Sequence, residues 1–241
     1  MSTNSMITRI LDDARAVITK PADFYRNMPK SGGFGDPLVF VVVMGAITGV
    51  IVAIMSLVGL GGAAGMGIAG GVGLIAIITM PIFAIIGSFI GAAIMFVIWR
   101  LMGSEQSFET GYRCVAYASA IYPITTLLAL VPYVGSLLGL AWMFYLMYVA
   151  SIEVHGIAAR TAMIVLGIIV GLLALLNIAA ERASRDMQAN MEQFGKSFGD
   201  AIGQVQTDTQ DMTPEEAGRA FGEFLKGLEQ AGREAEQAQS K

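Results

Sequence analysis

The chain has 241 residues, 55% of them hydrophobic and 14% charged, with a formal net charge of −4. Globular chains carry about 25% charged residues, so most of this one is suited to lipid, and its slight acidic balance argues against a dedicated nucleic-acid binder. The only cysteine is Cys114, so no internal disulfide can form; its place at a predicted membrane edge reads as that of a small boundary residue.

In the first 36 residues, Met6, Ile7, Ile10, Leu11, Ala14, Val17 and Ile18 recur at helical spacing, with Arg9, Asp12, Asp13, Arg15 and Lys20 on the other face. Asn4 or Ser5 can cap this helix and Pro21 stops it. Such a helix either lies flat in the membrane interface or packs on the cytosolic ends of the spans. On the first reading Ile7, Ile10, Leu11 and Ile18 touch lipid, joined by Phe24 and Tyr25 of the aromatic link that follows. A cleavable signal peptide would place its apolar core here. This region is amphipathic instead, so the first span is expected to serve as an uncleaved anchor.

From Pro37 to Trp99 there is no Asp, Glu, Lys, Arg or His. A soluble domain cannot leave so long a stretch uncharged without exposing a large apolar patch, whereas one charge at the bilayer centre costs about 2.5–3.5 kcal/mol. The stretch is too long for one span of about 20 residues. It divides into spans over about 37–60 and 74–101, joined by the glycine-rich segment Gly61–Gly73, which reads as a flexible outer loop or, being apolar, as one that dips back into the bilayer. A polar loop, Met102–Tyr112, follows. The third span covers about 114–131, kinked at Pro123, and a tight turn at Pro132-Tyr133-Val134-Gly135 makes it a hairpin with the fourth, about 136–152. The fifth covers about 161–180. The expected fold is an all-α integral membrane protein, a five-helix transmembrane bundle over 37–180 with an N-terminal amphipathic helix and a helical, partly disordered tail over 181–241.

With the N-terminus inside, the inner segments hold Arg9, Arg15, Lys20, Arg26, Lys30, Arg100, Arg113 and Arg160, and the outer loops hold no Lys or Arg. The charge asymmetry therefore predicts a cytoplasmic N-terminus and an exoplasmic tail, against the dissent of Arg182, Arg185 and Lys196 at the start of that tail. Within the tail, Phe194, Phe198 and Ile202 form an apolar stripe beside Gly195, Gly199 and Gly203, which marks them as candidates for self-association or a partner. Thr213-Pro214-Glu215-Glu216 reads as the capping box of a second tail helix.

The spans carry almost no chemistry. Ser88, Ser119, Thr125, Thr126 and Asn177 are their main polar side chains, and single Ser or Thr residues usually bond to backbone or a neighbouring helix. His155 is the only histidine; beside Glu153 it reads as a boundary cap before it reads as a metal ligand or pH sensor. No phosphate-binding or dinucleotide fingerprint is present. The expectation is therefore no enzyme, no cofactor and no metal. What recurs is glycine at a four-residue spacing: Gly45 and Gly49, Gly87 and Gly91, Gly135 and Gly139, Gly167 and Gly171. Such pairs let helix backbones approach closely and are the helix-packing candidates.

Pro21-Ala22-Asp23-Phe24-Tyr25 before the first span, Tyr112-Arg113-Cys114-Val115-Ala116-Tyr117-Ala118, Tyr122-Pro123, Val131-Pro132-Tyr133-Val134-Gly135, Trp142 and Val154-His155-Gly156 occur in that order. This layout resembles the Yip-one domain of Rab-interacting membrane proteins and their prokaryotic relatives, over about residues 10–180. The resemblance implies five spans and a cytoplasmic N-terminus. Eukaryotic members bind Rab GTPases and organise membranes. Their long N-terminal region with an Asp-Leu-Tyr-Gly-Pro type motif is absent here, so Rab binding is not carried over. The resemblance leaves a non-enzymatic protein of a prokaryotic cytoplasmic membrane that organises membrane or partners by helix packing, with lipid and a homo-oligomer or membrane-protein partner as its associations. The alternative is a passive channel or transporter-like protein.

Overall fold

The computed structural model describes residues 3–60 and 69–208, together with Arg219, Gly222 and Lys226. Every regular element among them is helical: α1 (Thr3–Thr19), α2 (Pro21–Asn27), α3 (Gly35–Leu57), α4 (Ala69–Leu101), α5 (Phe108–Ala118), a 3₁₀ turn (Ser119–Ile121), α6 (Tyr122–Leu128), α7 (Val134–Glu153) and α8 (Ala159–Asp208). Among the described residues, 4 helices are long and apolar enough to cross a membrane: α3, α4 from Gly73, α7, and α8 as far as Ser197.

The expected third span is divided. Its helix starts at Phe108 inside the predicted polar loop, tightens into the 3₁₀ turn at Ser119–Ile121, and resumes as α6 with Pro123 in the first turn. Proline has no N–H to donate and its ring clashes with the preceding turn, so the break falls just ahead of Pro123. The glycine-rich segment also differs from expectation. Residues 61–68 lie outside the described ones, but Gly70, Gly71 and Gly73 belong to α4 rather than to a loop. A Cβ on Gly73 would lie 3.1 Å from the Ala53 carbonyl oxygen, so packing on α3 offsets the helix-weakening effect of glycine there.

Helices α3 and α4 pair along the positions where α3 lacks side chains. A Cβ on Gly45 would lie 2.8 Å from Pro81 Cα, and one on Gly49 would lie 2.6 Å from the Ala76 carbonyl oxygen. The α6–α7 hairpin is closed in the same way: a Cβ on Gly135 would collide with the Leu128 carbonyl, and one on Gly139 would lie 3.0 Å from Thr125 Cγ2. In the turn between them Tyr133 has φ +60°, and the Val134 N–H donates to the Pro132 carbonyl. That is a γ-turn geometry, strained for a residue with a Cβ. Glu181 of α8 holds it: its carboxylate accepts from the Tyr133 N–H at 2.7 Å and from the Ser136 hydroxyl at 3.1 Å.

The chain divides into two compact units, Met1–Ala183 and Ser184–Lys241. The core of the first is assembled around α5, where every residue from Thr110 to Ala118 is buried. Helix α1 contributes Ile10, Ala14 and Val17 to that core, α2 contributes Tyr25, α4 contributes Trp99, and α7 contributes Leu146 and Ala150. In the second unit most of the described part is the remainder of α8, with Met187 and Met191 exposed. The side chains of the tail candidates Phe194, Phe198 and Ile202 lie outside the described residues, as does the capping box at Thr213.

The glycine pairs give a direct comparison. Gly49→Ala must displace backbone of α4, and overpacking of this kind costs about 1–3 kcal/mol. Gly171 has nothing within 4 Å of its Cβ direction, so Gly171→Ala should gain only the helix propensity of alanine, at most about 1 kcal/mol. Thermal unfolding in detergent should fall for Gly49→Ala and hold or rise for Gly171→Ala.

Candidate functional site

Helix α5 starts with Ser107 as its cap, whose hydroxyl accepts the Thr110 N–H at 3.2 Å. Its polar side chains then reach sideways to the link between α2 and α3. The Thr110 hydroxyl donates to the Lys30 carbonyl at 2.9 Å. Glu109 Oε1 accepts the Gly33 N–H at 2.7 Å, and Arg113 Nη2 donates to the Gly33 carbonyl at 2.7 Å. Arg113 is only 2% exposed, and its Nε stands 3.4 Å from Glu109 Oε1. A buried guanidinium needs such partners, because an unpaired charge in the interior costs several kcal/mol. The link can wrap so tightly because Gly32 and Gly33 have φ +124° and +82°, values closed to most side chains.

On the far side of α5 a second cluster joins α4, α5 and α7. The Trp99 ring stacks on the His155 ring at 3.8 Å between centroids. Its indole N–H donates to Ser151 Oγ at 2.8 Å, and the Ser151 hydroxyl donates to the Met147 carbonyl at 2.7 Å. His155 Nδ1 lies 2.7 Å from Ser104 Oγ, which already accepts the Gln106 N–H at 3.2 Å. Donation of the serine proton to Nδ1 satisfies both groups and turns Nε2–H toward Cys114 Sγ, 4.0 Å away. Burial, with the charge of Lys30 adding to it, lowers the His155 pKa from 6.5 to about 4, so the ring is neutral at pH 7. A thiol and an imidazole can form a nucleophile and base when about 2.6–3.2 Å apart. Here they are 4.0 Å apart and both are enclosed, and the hydrogen bonds of the cluster tie the ends of α4 and α7 to each other.

A third link fastens α2. The Tyr25 hydroxyl, fully buried, donates to the Cys114 carbonyl at 3.1 Å. Arg26 meets the Glu153 carboxylate with both Nε and Nη2, at 2.9 and 3.0 Å, and this ion pair raises the Arg26 pKa. The two-pronged geometry fixes an angle as well as a distance. With the ring contact of Phe24 on Tyr117 and the burial of Ile10, Ala14 and Val17 of α1 in the core, α1 and α2 form a cap on α5.

This arrangement separates the residues that amphipathic spacing groups together. Ile7 and Leu11 are exposed, at 51% and 52%, while Ile10 is buried in the core. Ile18 and Phe24 are half-buried against that core, and Tyr25 is inside it, because the face that periodicity assigns to lipid is shared with the cap contact. Among the glycines, Gly45, Gly49, Gly135 and Gly139 stand at close helix contacts. Gly91 has only Val115 near it, at 3.5 Å, and Gly87, Gly167 and Gly171 have nothing within 4 Å. Among the described residues no three His, Cys, Asp or Glu side chains gather where they could hold a metal ion.

Compared with known families, the chain matches the Yip1 domain over residues 15–180. It belongs to the Yip1 domain family. The matched stretch begins in α1 and ends in α8, so the whole α5 hub, both polar clusters and the α2 cap lie within the Yip1 domain. Four apolar helices of membrane-crossing length within that family make it an integral membrane protein. Comparison with curated proteins returns no match. Comparison with solved structures returns none either.

Sequence reasoning gave no role to Trp99, Ser104, Ser151 or Glu181 in this Yip1 domain. Trp99 and Ser104 bracket the end of α4, where a span end looks like an ordinary interface, and Glu181 is distant in sequence from the turn it holds. His155 was placed at a boundary; its stacking partner had no sequence signal. The cluster gives a pH prediction. The unfolded chain binds a proton at His155 below about pH 6.5, while the folded one resists until about pH 4. Stability is therefore fully present above about pH 6.5 and is lost as pH falls toward 4, by up to roughly 3 kcal/mol. Thermal unfolding followed over that window should show this loss in the native chain and a flatter profile in His155→Gln.

Proposed function

We propose that this Yip1-domain protein is a non-enzymatic membrane organiser that crosses a prokaryotic cytoplasmic membrane five times, with its N-terminus cytoplasmic and its tail on the other side. The observation that carries the reading is where polarity is spent. The buried polar groups around α5 serve internal links, while α4 and α8 leave long apolar surfaces uncovered, among them Ile78, Phe83, Ile86 and Ile90 on one and Ile168, Leu172 and Leu176 on the other. A protein built this way offers lipid or another helix a surface to pack on.

The fifth crossing is α5 and α6 taken in series. Counted from Cys114, past the charge of Arg113, it is the span expected at about 114–131, within the length of about 17–25 residues that a crossing needs. Its polar content is tolerable because neighbouring helices, rather than lipid, surround α5. An odd number of crossings puts the termini on opposite sides, and the concentration of Lys and Arg in inner segments supports the inward N-terminus. A recess of about 280 Å³ between α3, α4 and α6 is the feature a channel reading would use. Its Thr48, Thr125 and Thr126 hydroxyls donate to the carbonyls of Met44 and Tyr122 in their own helices, which leaves little to guide a polar solute.

In a Cys114→Ala background, single cysteines at Ser31 and Ser240 should label from opposite sides of the membrane; labelling from one side rejects the odd count. Purified protein in liposomes should pass no small solute, and a flux above empty vesicles would favour the channel. Cysteines at Phe194 and Phe198 should crosslink to a second copy or a membrane partner, and no adduct would remove the tail from the organising role.

A further inference from the structure

Between the cap and α5 lies a cleft of about 250 Å³ whose lining carries both signs of charge: Arg9 and Arg113, Asp13 and Asp36, with Phe24 and Tyr117 on its walls. The charges within it are incompletely matched to each other. Arg9 Nη2 and Asp36 Oδ1 are 3.2 Å apart, but their side chains are 48% and 63% exposed, and such pairs are weak and readily exchanged for other partners. Asp13 takes part in none of the ion pairs within 4 Å among the described residues, although burial is already raising its pKa. Arg113 Nε, buried and without a hydrogen bond, stands 3.4 Å from Glu109 Oε1, so this charge is already paired.

The level of the cleft says what it meets. Asp36 is in the first turn of α3, and the uncharged run begins at the next residue, Pro37. The cleft thus opens where the hydrocarbon region starts, at the depth of the lipid headgroups. The elements that form it also carry exposed apolar side chains, Ile7 and Leu11 on α1 and Val39 on α3, able to lie along acyl chains.

We propose that this cleft binds the headgroup of a zwitterionic phospholipid, with the phosphodiester beside Arg9 and the ammonium facing Asp13 and Asp36 against the rings of Phe24 and Tyr117. The ligand class follows from balance. Arg113 is already paired with Glu109, which leaves Arg9, Asp13 and Asp36 to meet a ligand; a headgroup bearing both signs answers all three, whereas an anionic headgroup sets a phosphate against two carboxylates. The aromatic walls suit an ammonium, which is attracted to ring faces. This inference goes beyond the organising role and does not depend on it; it requires only that α3 start at the membrane surface.

The test uses the full chain, purified and stripped of lipid in detergent, with native mass spectrometry as the readout. The probes are phosphatidylethanolamine, phosphatidylglycerol and soluble glycerophosphoethanolamine. Phosphatidylethanolamine should be retained over phosphatidylglycerol. Asp13→Asn and Arg9→Gln should each cut that retention by about fivefold, the scale of one lost ionic contact, while Glu105→Gln, on an exposed loop, should not. Unchanged thermal unfolding of the variants in lipid-free detergent establishes that they fold. Equal retention of the two lipids, or full retention by both cleft variants, overturns the proposal. Binding of glycerophosphoethanolamine without retention of lipid overturns the membrane source and makes the ligand a soluble one.

Discussion

Arg113 is a charged side chain that the fold cannot leave in lipid and does not leave in water. It sits in α5, a helix that also carries Glu109 and Thr110 and is buried from Thr110 through Ala118. A helix of that composition inside a membrane protein has to be surrounded by protein. The other helices of the first unit follow from this requirement. Helices α3, α4, α7 and α1 all pack against α5, and α2 reaches it through the Tyr25 hydroxyl on the Cys114 carbonyl. The apolar spans are the wrapping, and the polar helix is what they wrap.

The devices that close the wrapping are local and specific. On one side the link between α2 and α3 is stitched to α5 through Glu109, Thr110 and Arg113, which is possible because Gly32 and Gly33 adopt positive φ. On the other, Trp99, Ser151, Ser104 and His155 join the ends of α4 and α7 without any charge, because the imidazole is held neutral. The Arg26–Glu153 pair then fixes α2 to the end of α7. Together these links tie α2, α4, α5, α7 and the link between α2 and α3 to one another.

Much of this was legible in the sequence where lipid imposes the rule. The uncharged run from Pro37 to Trp99 could only be membrane, and α3 and α7 begin and end within a few residues of their predicted bounds. The α6–α7 turn was visible from Pro132. Helix α5 was not legible, because its first residues look like a solvent loop when their polarity is taken to face water; in the structure it faces protein. Glycine spacing was also an incomplete guide. Gly49 and Gly171 belong to pairs with the same spacing, yet one meets α4 backbone and the other meets nothing within 4 Å, since contact depends on where the neighbouring helix runs. The amphipathic face of α1 was correctly periodic, but periodicity does not say whether protein or lipid covers it. Ile10 is covered by protein while Ile7 is exposed.

The enclosure of α5 can be read on the native chain, because its only cysteine lies in that helix and is fully buried. A small membrane-permeant maleimide should fail to modify Cys114 in the folded protein, in liposomes or in mild detergent, and should react completely once the chain is denatured. Rapid modification of Cys114 in the folded state would mean that α5 faces solvent or lipid, and would contradict the account of a polar helix wrapped by the rest of the domain.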